Sequence, residues 1–144
     1  MEKQKILIAD DSEMNRALLV DILEDQYDIV EADNGAAAID LLTQCGGDFS
    51  LLLLDIMMPE MDGFEVLAYI NRYHLNDTLA VIMISADDSP ANIKRAYDLG
   101  AFDYISRPFD AAIVRRRISN TMLLYARQRH LENIIAEQFY EQEK

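Results

Sequence analysis

Hydrophobic residues in this chain fall into short runs that are separated by polar, turn-forming segments. Four runs are largely apolar over consecutive positions, at residues 6–9, 51–54, 79–84 and 102–105. A fifth segment, residues 27–31, alternates in part between apolar and polar residues. Central strands of a parallel sheet are covered on both faces and have this continuous apolar character. The pattern therefore predicts five strands.

In the segments between these runs, apolar residues recur at the three- and four-residue intervals of an amphipathic helix. Three examples are Met14, Ala17, Leu18 and Ile22; Phe64, Leu67 and Ala68; and Ile93, Ala96 and Tyr97. Residues typical of helix starts precede four of the predicted helices: Ser12, Asn34, Ser89 with Pro90, and residues 108–110. Gly100 is a candidate C-cap at the end of the fourth helix. Repeated alternation of strand and helix predicts an α/β fold, a doubly wound five-stranded parallel sheet with helices on both faces.

Size and charge narrow the class of protein. The chain has 144 residues, enough for one domain, and its net charge of −13 is opposite to that of a nucleic-acid binder. The acidic excess lies in residues 1–106, whereas residues 107–144 are slightly basic. Cys45 is the single cysteine, which excludes an internal disulfide and suits a reducing compartment. No membrane span or secretory signal is evident, so we expect a cytoplasmic protein that binds neither nucleic acid nor membrane directly.

Chemically active residues follow the predicted strands. They are Asp10 and Asp11 after the first, Asp55 after the third, Ser85 after the fourth and Arg107 just past the fifth. Ligands of such sheets bind beyond the carboxyl ends of the strands, so these side chains should converge there. Three crowded carboxylates repel one another unless a cation such as Mg²⁺ neutralises them, although Asp11 could instead cap the first helix. A carboxylate beside Mg²⁺ can attack a phosphoryl group, whose oxygens Ser85 and Arg107 could hold.

Four motifs in the chain resemble the response-regulator receiver domain of two-component signalling. They are ILIADDS at residues 6–12, LLLLDIMMPEMDGFE at 51–65, ISA at 84–86 and DYISRPF at 103–109. The resemblance covers residues 5 to about 125 and implies a flavodoxin-like sheet of strand order 2-1-3-4-5. It also implies a histidine kinase or phosphotransfer protein as the partner that donates a phosphoryl group.

The resemblance assigns roles to the residues at the strand ends. Asp55 is the phosphoacceptor, Asp11 is a direct ligand of Mg²⁺ (or Mn²⁺), Asp10 acts on the metal largely through water, and the main-chain carbonyl of Met57 is a further ligand. Ser85 corresponds to the switch hydroxyl. Tyr104 corresponds to the aromatic residue that swings inward on activation.

Arg107 departs from the family pattern, which has lysine at this position. Arginine keeps the positive charge but is a planar fork, so the exchange is not conservative at a crowded site. The main interpretation is a phosphorylation-dependent switch that is not itself an enzyme. The alternative is a degenerate receiver that acts as a phosphorylation-independent dimerisation scaffold. An aspartyl phosphatase is disfavoured because such enzymes carry a second Asp where this chain has Met57.

The C-terminal segment predicts one long helix with two parts. Val114, Ile118, Thr121, Met122 and Tyr125 should pack on the sheet and complete a receiver domain of residues 1–125. Leu131, Ile134, Ile135 and Phe139 continue an apolar stripe beyond that domain, on a helix from Asp110 to Glu141 on the order of 48 Å long. We therefore expect residues 126–144 to be a helical linker to an output domain, such as one for cyclic-dinucleotide turnover, and to form a homodimer.

Overall fold

The computed structural model of the protein describes residues 3–76 and 78–142. The strands are β1 (Lys5–Ala9), β2 (Asp28–Ala32), β3 (Phe49–Asp55), β4 (Ala80–Ser85) and β5 (Asp103–Ser106). The α-helices are α1 (Glu13–Leu23), α2 (Gly35–Cys45), α3 (Gly63–Arg72), α4 (Pro90–Asp98) and α5 (Ala111–Gln142), with a 3₁₀ turn at Gly46–Asp48. Each of the five predicted strands is present, within one or two residues of its predicted position.

All strand pairs are parallel and the sheet order is β2-β1-β3-β4-β5. This is the predicted order, in which the chain reverses its direction of winding between β1 and β3. Parallel strands need a crossover, and each one is made here by a helix. The fold prediction is therefore confirmed.

Two apolar layers enclose the sheet. Side chains of one strand face, such as Leu7, Leu52 and Met83, pack with α2, α3 and α4. Side chains of the opposite face, such as Ile6 and Leu53, pack with α1 and α5. Successive residues of each strand thus enter opposite layers, which is why the central strands β1, β3 and β4 are mostly apolar, whereas the edge strands β2 and β5 keep polar residues such as Asp28 and Asp103.

Helix α1 forms where predicted, but not all of the apolar residues that show its helical spacing face the core. Leu19 and Leu23 are buried against the sheet, whereas Met14 is 74% exposed and Leu18 is 49% exposed. Apolar residues occur in adjacent pairs in this helix, so helical spacing fits two different faces. Packing against the apolar strand face, rather than the helix sequence alone, selects the buried one.

The residues predicted to cap the helices form capping interactions in the structure. The side chains of Ser12, Asn34, Ser89 and Asp110 each accept a hydrogen bond from a main-chain N–H in the first turn of α1, α2, α4 and α5 respectively. Gly100 follows α4 with a φ of 97°, a left-handed conformation that glycine adopts without steric cost.

Helix α5 packs on the sheet only through its first half. Val114, Ile118, Thr121 and Met122 are buried, while Leu131, Ile135 and Phe139 are more than half exposed. The predicted segments 1–125 and 126–144 include residues 1, 2, 77, 143 and 144, which lie outside the described residues. Within the described residues, no helix is both long and apolar enough to cross a membrane.

Candidate functional site

Strand register brings the acidic residues together at the carboxyl edge of the sheet. Ala9 is aligned with Leu54 across β1 and β3, so Asp10 and Asp55 leave the two strands side by side. One carboxylate oxygen from each of Asp10, Asp11 and Asp55 lies within 4.8 Å of the others. Asp10 and Asp55 are buried, and Asp11 faces solvent. The three predicted carboxylates therefore form one cluster.

Arg107 contributes the positive charge of the site. Ser85 is aligned with Ser106 at the end of β4 and β5, and the next residue, Arg107, donates its main-chain N–H to the Ser85 carbonyl at 2.9 Å. Its Nη2 donates to Oδ1 of Asp55 at 2.7 Å, and the Asp55 side chain is only 2% exposed. Nε of Arg107 is buried and has no hydrogen-bond partner in the described part of the chain. The Nε–H donor of Arg107 is thus unused among the described residues.

Burial dominates the acid–base behaviour of Asp55. Burial, followed by the charge of Asp10, raises the pKa of Asp55 from 3.8 to about 7, although Arg107 acts in the opposite direction. The positive charge of Arg107 therefore does not fully offset the cost of ionising Asp55, which is buried beside Asp10. Additional positive charge at the site would favour ionised Asp55.

The donor set fits a hard divalent cation. Oδ1 of Asp10 accepts the main-chain N–H of Ser12 at 2.8 Å, but Oδ2 of Asp10 is buried without a partner among the described residues. A buried carboxylate oxygen with no donor carries a free-energy cost that a coordinated cation removes. Carboxylate oxygens are also the ligands that Mg²⁺ prefers. Asp10, Asp11 and Asp55 could hold such an ion.

The loop after β3 passes very close to the site. Met57 donates its main-chain N–H to Oδ1 of Asp55 at 3.4 Å, and its side chain is exposed. At Gly63, a Cβ atom would lie 2.3 Å from the Asp55 carbonyl oxygen and 2.8 Å from Cα of Ile56. No side chain fits there, so glycine at this position lets the loop fold back beneath the acidic cluster.

Ser85 and Tyr104 both form hydrogen bonds with the loop between β4 and α4. Oγ of Ser85 accepts the main-chain N–H of Asp87 at 3.0 Å. The ring of Tyr104 is buried, and its hydroxyl donates to the main-chain carbonyl of Asp87. Burial, more than any other cause, raises the pKa of Tyr104. Both predicted residues therefore bind the same loop residue, and the tyrosine occupies an inward position.

Sequence reasoning missed two residues near the cluster. Arg16 donates from Nη1 to the Asp10 carbonyl at 2.6 Å and pairs with Glu31 at 3.1 Å, which fixes the end of β1. Asp87 connects Ser85 and Tyr104 as described above. Asp87 could have been found from its position two residues after a strand end; nothing in the sequence around Arg16 indicates its contact.

Comparison with known proteins identifies the family. The sequence model of the response regulator receiver domain matches residues 6–119. The chain belongs to the receiver-domain family of response regulators. Receiver domains are signalling modules rather than classical enzymes, and they bind Mg²⁺ in an acidic pocket. The acidic cluster of this receiver, Asp10, Asp11 and Asp55, lies at the carboxyl edge of its sheet.

Three relatives show the range of proteins that contain such a domain. The receiver is 35% identical to the chemotaxis protein CheY of Halobacterium salinarum and covers 98% of it with 85% of its own length. It is also 35% identical to a probable cyclic di-GMP phosphodiesterase of Vibrio cholerae, but 78% of this chain covers only 25% of that protein. A crystal structure of a CheX–CheY–BeF₃–Mg²⁺ complex from Borrelia burgdorferi has 30% identity and a TM-score of 0.76, over 81% of this chain and 87% of the other.

Proposed function

We propose that this receiver accepts a phosphoryl group on Asp55 from a phosphohistidine of a histidine kinase or phosphotransfer protein. A carboxylate oxygen of Asp55 attacks the phosphorus, the P–N bond breaks, and its electron pair stays on the departing imidazole, which leaves the partner's histidine free. The supporting observation is the ion pair of Asp55 with Arg107 beside two further carboxylates. The guanidinium offsets the charge that an anionic phosphoryl group meets at an acidic site.

The acidic cluster is proposed to hold Mg²⁺ (or Mn²⁺) through Asp10, Asp11, Asp55 and the main-chain carbonyl of Met57. When bound, the ion supplies positive charge that neutralises both the carboxylates and the phosphoryl oxygens. The unpartnered Oδ2 of Asp10 supports this assignment. So does the similarity to a structure whose complex contains BeF₃ and Mg²⁺.

Ser85 and Tyr104 are proposed to relay the state of Asp55. A phosphoryl oxygen held by Ser85 would compete for the hydroxyl that now accepts the Asp87 N–H. Tyr104 holds the carbonyl of the same residue, and its own carbonyl accepts Nη1 of Arg117 of α5 at 2.8 Å. The site is therefore connected through β5 to the helix that leaves the domain.

A protein phosphodonor fits the surface around Asp55. Met14 and Met57 flank the acidic residues in sequence and are 74% and 67% exposed, and Leu18 lies one turn further along α1. Exposed apolar side chains near a charged pocket favour contact with a macromolecule, and flexible Met side chains suit such a surface. A small-molecule donor would not require them.

The segment 126–144 is proposed to be a helical linker from the receiver domain of residues 1–125 to an output domain, and to form a homodimer. Its support is the exposed apolar stripe on α5, which the receiver does not cover. The relative from Vibrio cholerae, of which this chain matches a quarter, is a precedent for a cyclic-dinucleotide output.

Phosphorylation by a small donor tests the central proposal. Purified protein is treated with acetyl phosphate and MgCl₂, and intact mass reports the added phosphoryl group. We expect modification of wild type and of Asp40→Asn, an exposed control on α2, but not of Asp55→Asn, and we expect chelation of Mg²⁺ to abolish it. Unmodified wild type under these conditions would instead favour the phosphorylation-independent scaffold.

A further inference from the structure

A cavity lies at the opposite edge of the sheet from Asp55. Gln4 and Thr78 stand just before β1 and β4, and Ser50 is the second residue of β3. Parallel strands begin at one edge of a sheet, so these three side chains lie together at the amino edge, where with α5 they line a cavity of about 320 Å³. Ser50 and Asp55 are separated along β3 by roughly 16 Å. The cavity is therefore distinct from the acidic cluster.

One wall of this cavity is apolar and comes from α5. It contains Met122, which is buried, Tyr125 and Ala126. The ring of Tyr125 packs edge-on against Phe102, with ring centres 5.9 Å apart, and its hydroxyl donates to the main-chain carbonyl of Asn76. These contacts fix the ring in place. A fixed aromatic ring beside a methionine side chain suits a planar apolar group of a ligand.

The other side chains of the cavity offer hydrogen bonds that the protein does not use. The three polar side chains at the strand starts and that of Asn133 have no hydrogen-bond partner among the described residues. Arg129 supplies positive charge, and its pair with Glu132 at 3.6 Å is too long for a hydrogen bond. Among the described residues that line the cavity there is no Asp or Glu, although the chain has a net charge of −13. The polar groups therefore favour an anion.

We propose that this cavity binds a small organic anion, with its carboxylate or phosphate on Arg129 and a planar apolar body against Tyr125 and Met122. The guanidinium fork matches both anionic groups in geometry, and the unused hydroxyls and amides orient them. Ligand pockets combine an apolar lining with a few convergent polar groups, over volumes of roughly 300 to 1,000 Å³. At about 320 Å³ this cavity fits a ligand with one ring system, such as an aromatic carboxylate or a nucleoside monophosphate.

The ligand contacts two parts of the molecule that separate at this point. Ser50 and Thr78 belong to the edge of the sheet, whereas Arg129 lies beyond the part of α5 that packs on the sheet. A ligand stabilises the arrangement to which it binds, so occupancy holds the start of the α5 extension against the domain. This role does not depend on phosphorylation of Asp55.

Titration of the full chain, monitored by backbone amide NMR shifts, tests the proposal with sodium benzoate and adenosine 5′-monophosphate as separate probes. We expect at least one probe to give saturable shifts at Ser50, Thr78 and residues 122–133. A response to benzoate alone would assign a carboxylate ligand, and a response to the nucleotide alone would assign a phosphate. Absence of saturable shifts there with both probes, or saturable shifts only around Asp55, would overturn the proposal.

Three variants connect the shifts to the cavity. Arg129→Gln should weaken binding by roughly tenfold, because a hydrogen bond to a charged group is lost. The matched control Arg127→Gln removes an exposed arginine of the same helix that does not line the cavity, and it should bind like wild type. Ala126→Trp should abolish the saturable shifts because its indole occupies the cavity, and Ala126 is exposed, so the core stays intact.

Unchanged affinity in both Arg129→Gln and Ala126→Trp would show that the probes bind elsewhere, which contradicts the proposal. Inorganic phosphate is the control for the apolar body. Equal affinity for inorganic phosphate and the better organic probe would overturn the assigned ligand class, because the wall formed by Met122 and Tyr125 would then contribute nothing.

Discussion

Replacement of the buried acceptor, Asp55→Asn, should stabilise the metal-free protein at neutral and higher pH. The native structure holds the Asp55 carboxyl next to Asp10 with its side chain 2% exposed, and burial with this neighbour raises its pKa to about 7. Asparagine has nearly the same shape and no charge. The substitution therefore removes the cost of a buried anion, while its amide oxygen can still accept from Arg107.

The size of the effect follows from the linkage between pKa and stability. A shift from 3.8 to about 7 is roughly three units, and each unit corresponds to about 1.4 kcal/mol, which sets an upper limit of about 4 kcal/mol. Between these two pKa values the native state holds a proton that the unfolded state has released, so native stability falls as pH rises through this window. Above about pH 7 the full cost is present, and below about pH 4 it vanishes because both states are protonated.

Urea unfolding followed by far-UV circular dichroism, with a chelator present, measures this difference. The gap between Asp55→Asn and wild type should be close to zero near pH 4, increase with pH and level off near pH 8. The exposed control Asp40→Asn should show no such pH-dependent gap. A gap of constant size across the range would refute the argument, because it would show that the Asp55 proton is not linked to folding.

The remaining predictions concern ligands and the loop. Excess Mg²⁺ should raise the unfolding free energy of wild type at about pH 8 by more than that of Asp11→Ala, measured in the same urea assay, because binding to the native state stabilises it. Gly63→Ala should be destabilised by more than about 2 kcal/mol, since its Cβ would lie 2.3 Å from a main-chain oxygen. Arg107→Ala should weaken a beryllofluoride titration monitored by amide NMR shifts by tenfold or more, while Arg107→Lys keeps a saturable response. Tyr104→Phe should keep that response near the acidic cluster but reduce the shifts of α5.

The fold and the positions of the site residues could be predicted because the evidence for them is local. Runs that are apolar on both faces define strands, and the residue that ends or follows each strand lies at the carboxyl edge, which places Asp10, Asp55 and Ser85 without knowledge of packing. The buried face of α1 could not be predicted in this way, because Leu18 and Leu19 point in directions about 100° apart and each belongs to an apolar stripe with helical spacing. That choice depends on the sheet, which the helix sequence does not contain.

Contacts between segments that are distant in sequence also could not be predicted from the local sequence pattern. The hydrogen bond of Arg16 with the Asp10 carbonyl requires the relative position of α1 and the end of β1. The bond from Tyr104 to Asp87 requires the path of the loop between β4 and α4. Each depends on tertiary geometry, whereas strand-end residues are set by topology alone.

The buried, partly neutralised carboxylate of Asp55 and the contacts that link it to α5 can be explained together. Asp55 is a buried carboxylate that is only partly neutralised, so binding of a cation or addition of a phosphoryl group changes the interaction energy of the site strongly. A ligand or modification shifts a conformational equilibrium only if it interacts differently with the two conformations. Arg107 contacts Asp55 by its side chain and Ser85 by its main chain, and β5 connects both to Tyr104. Transmission also requires an element with two discrete arrangements. We propose that Tyr104 is this element, because its hydroxyl binds the loop that Ser85 also binds while its carbonyl accepts a hydrogen bond from Arg117 of α5.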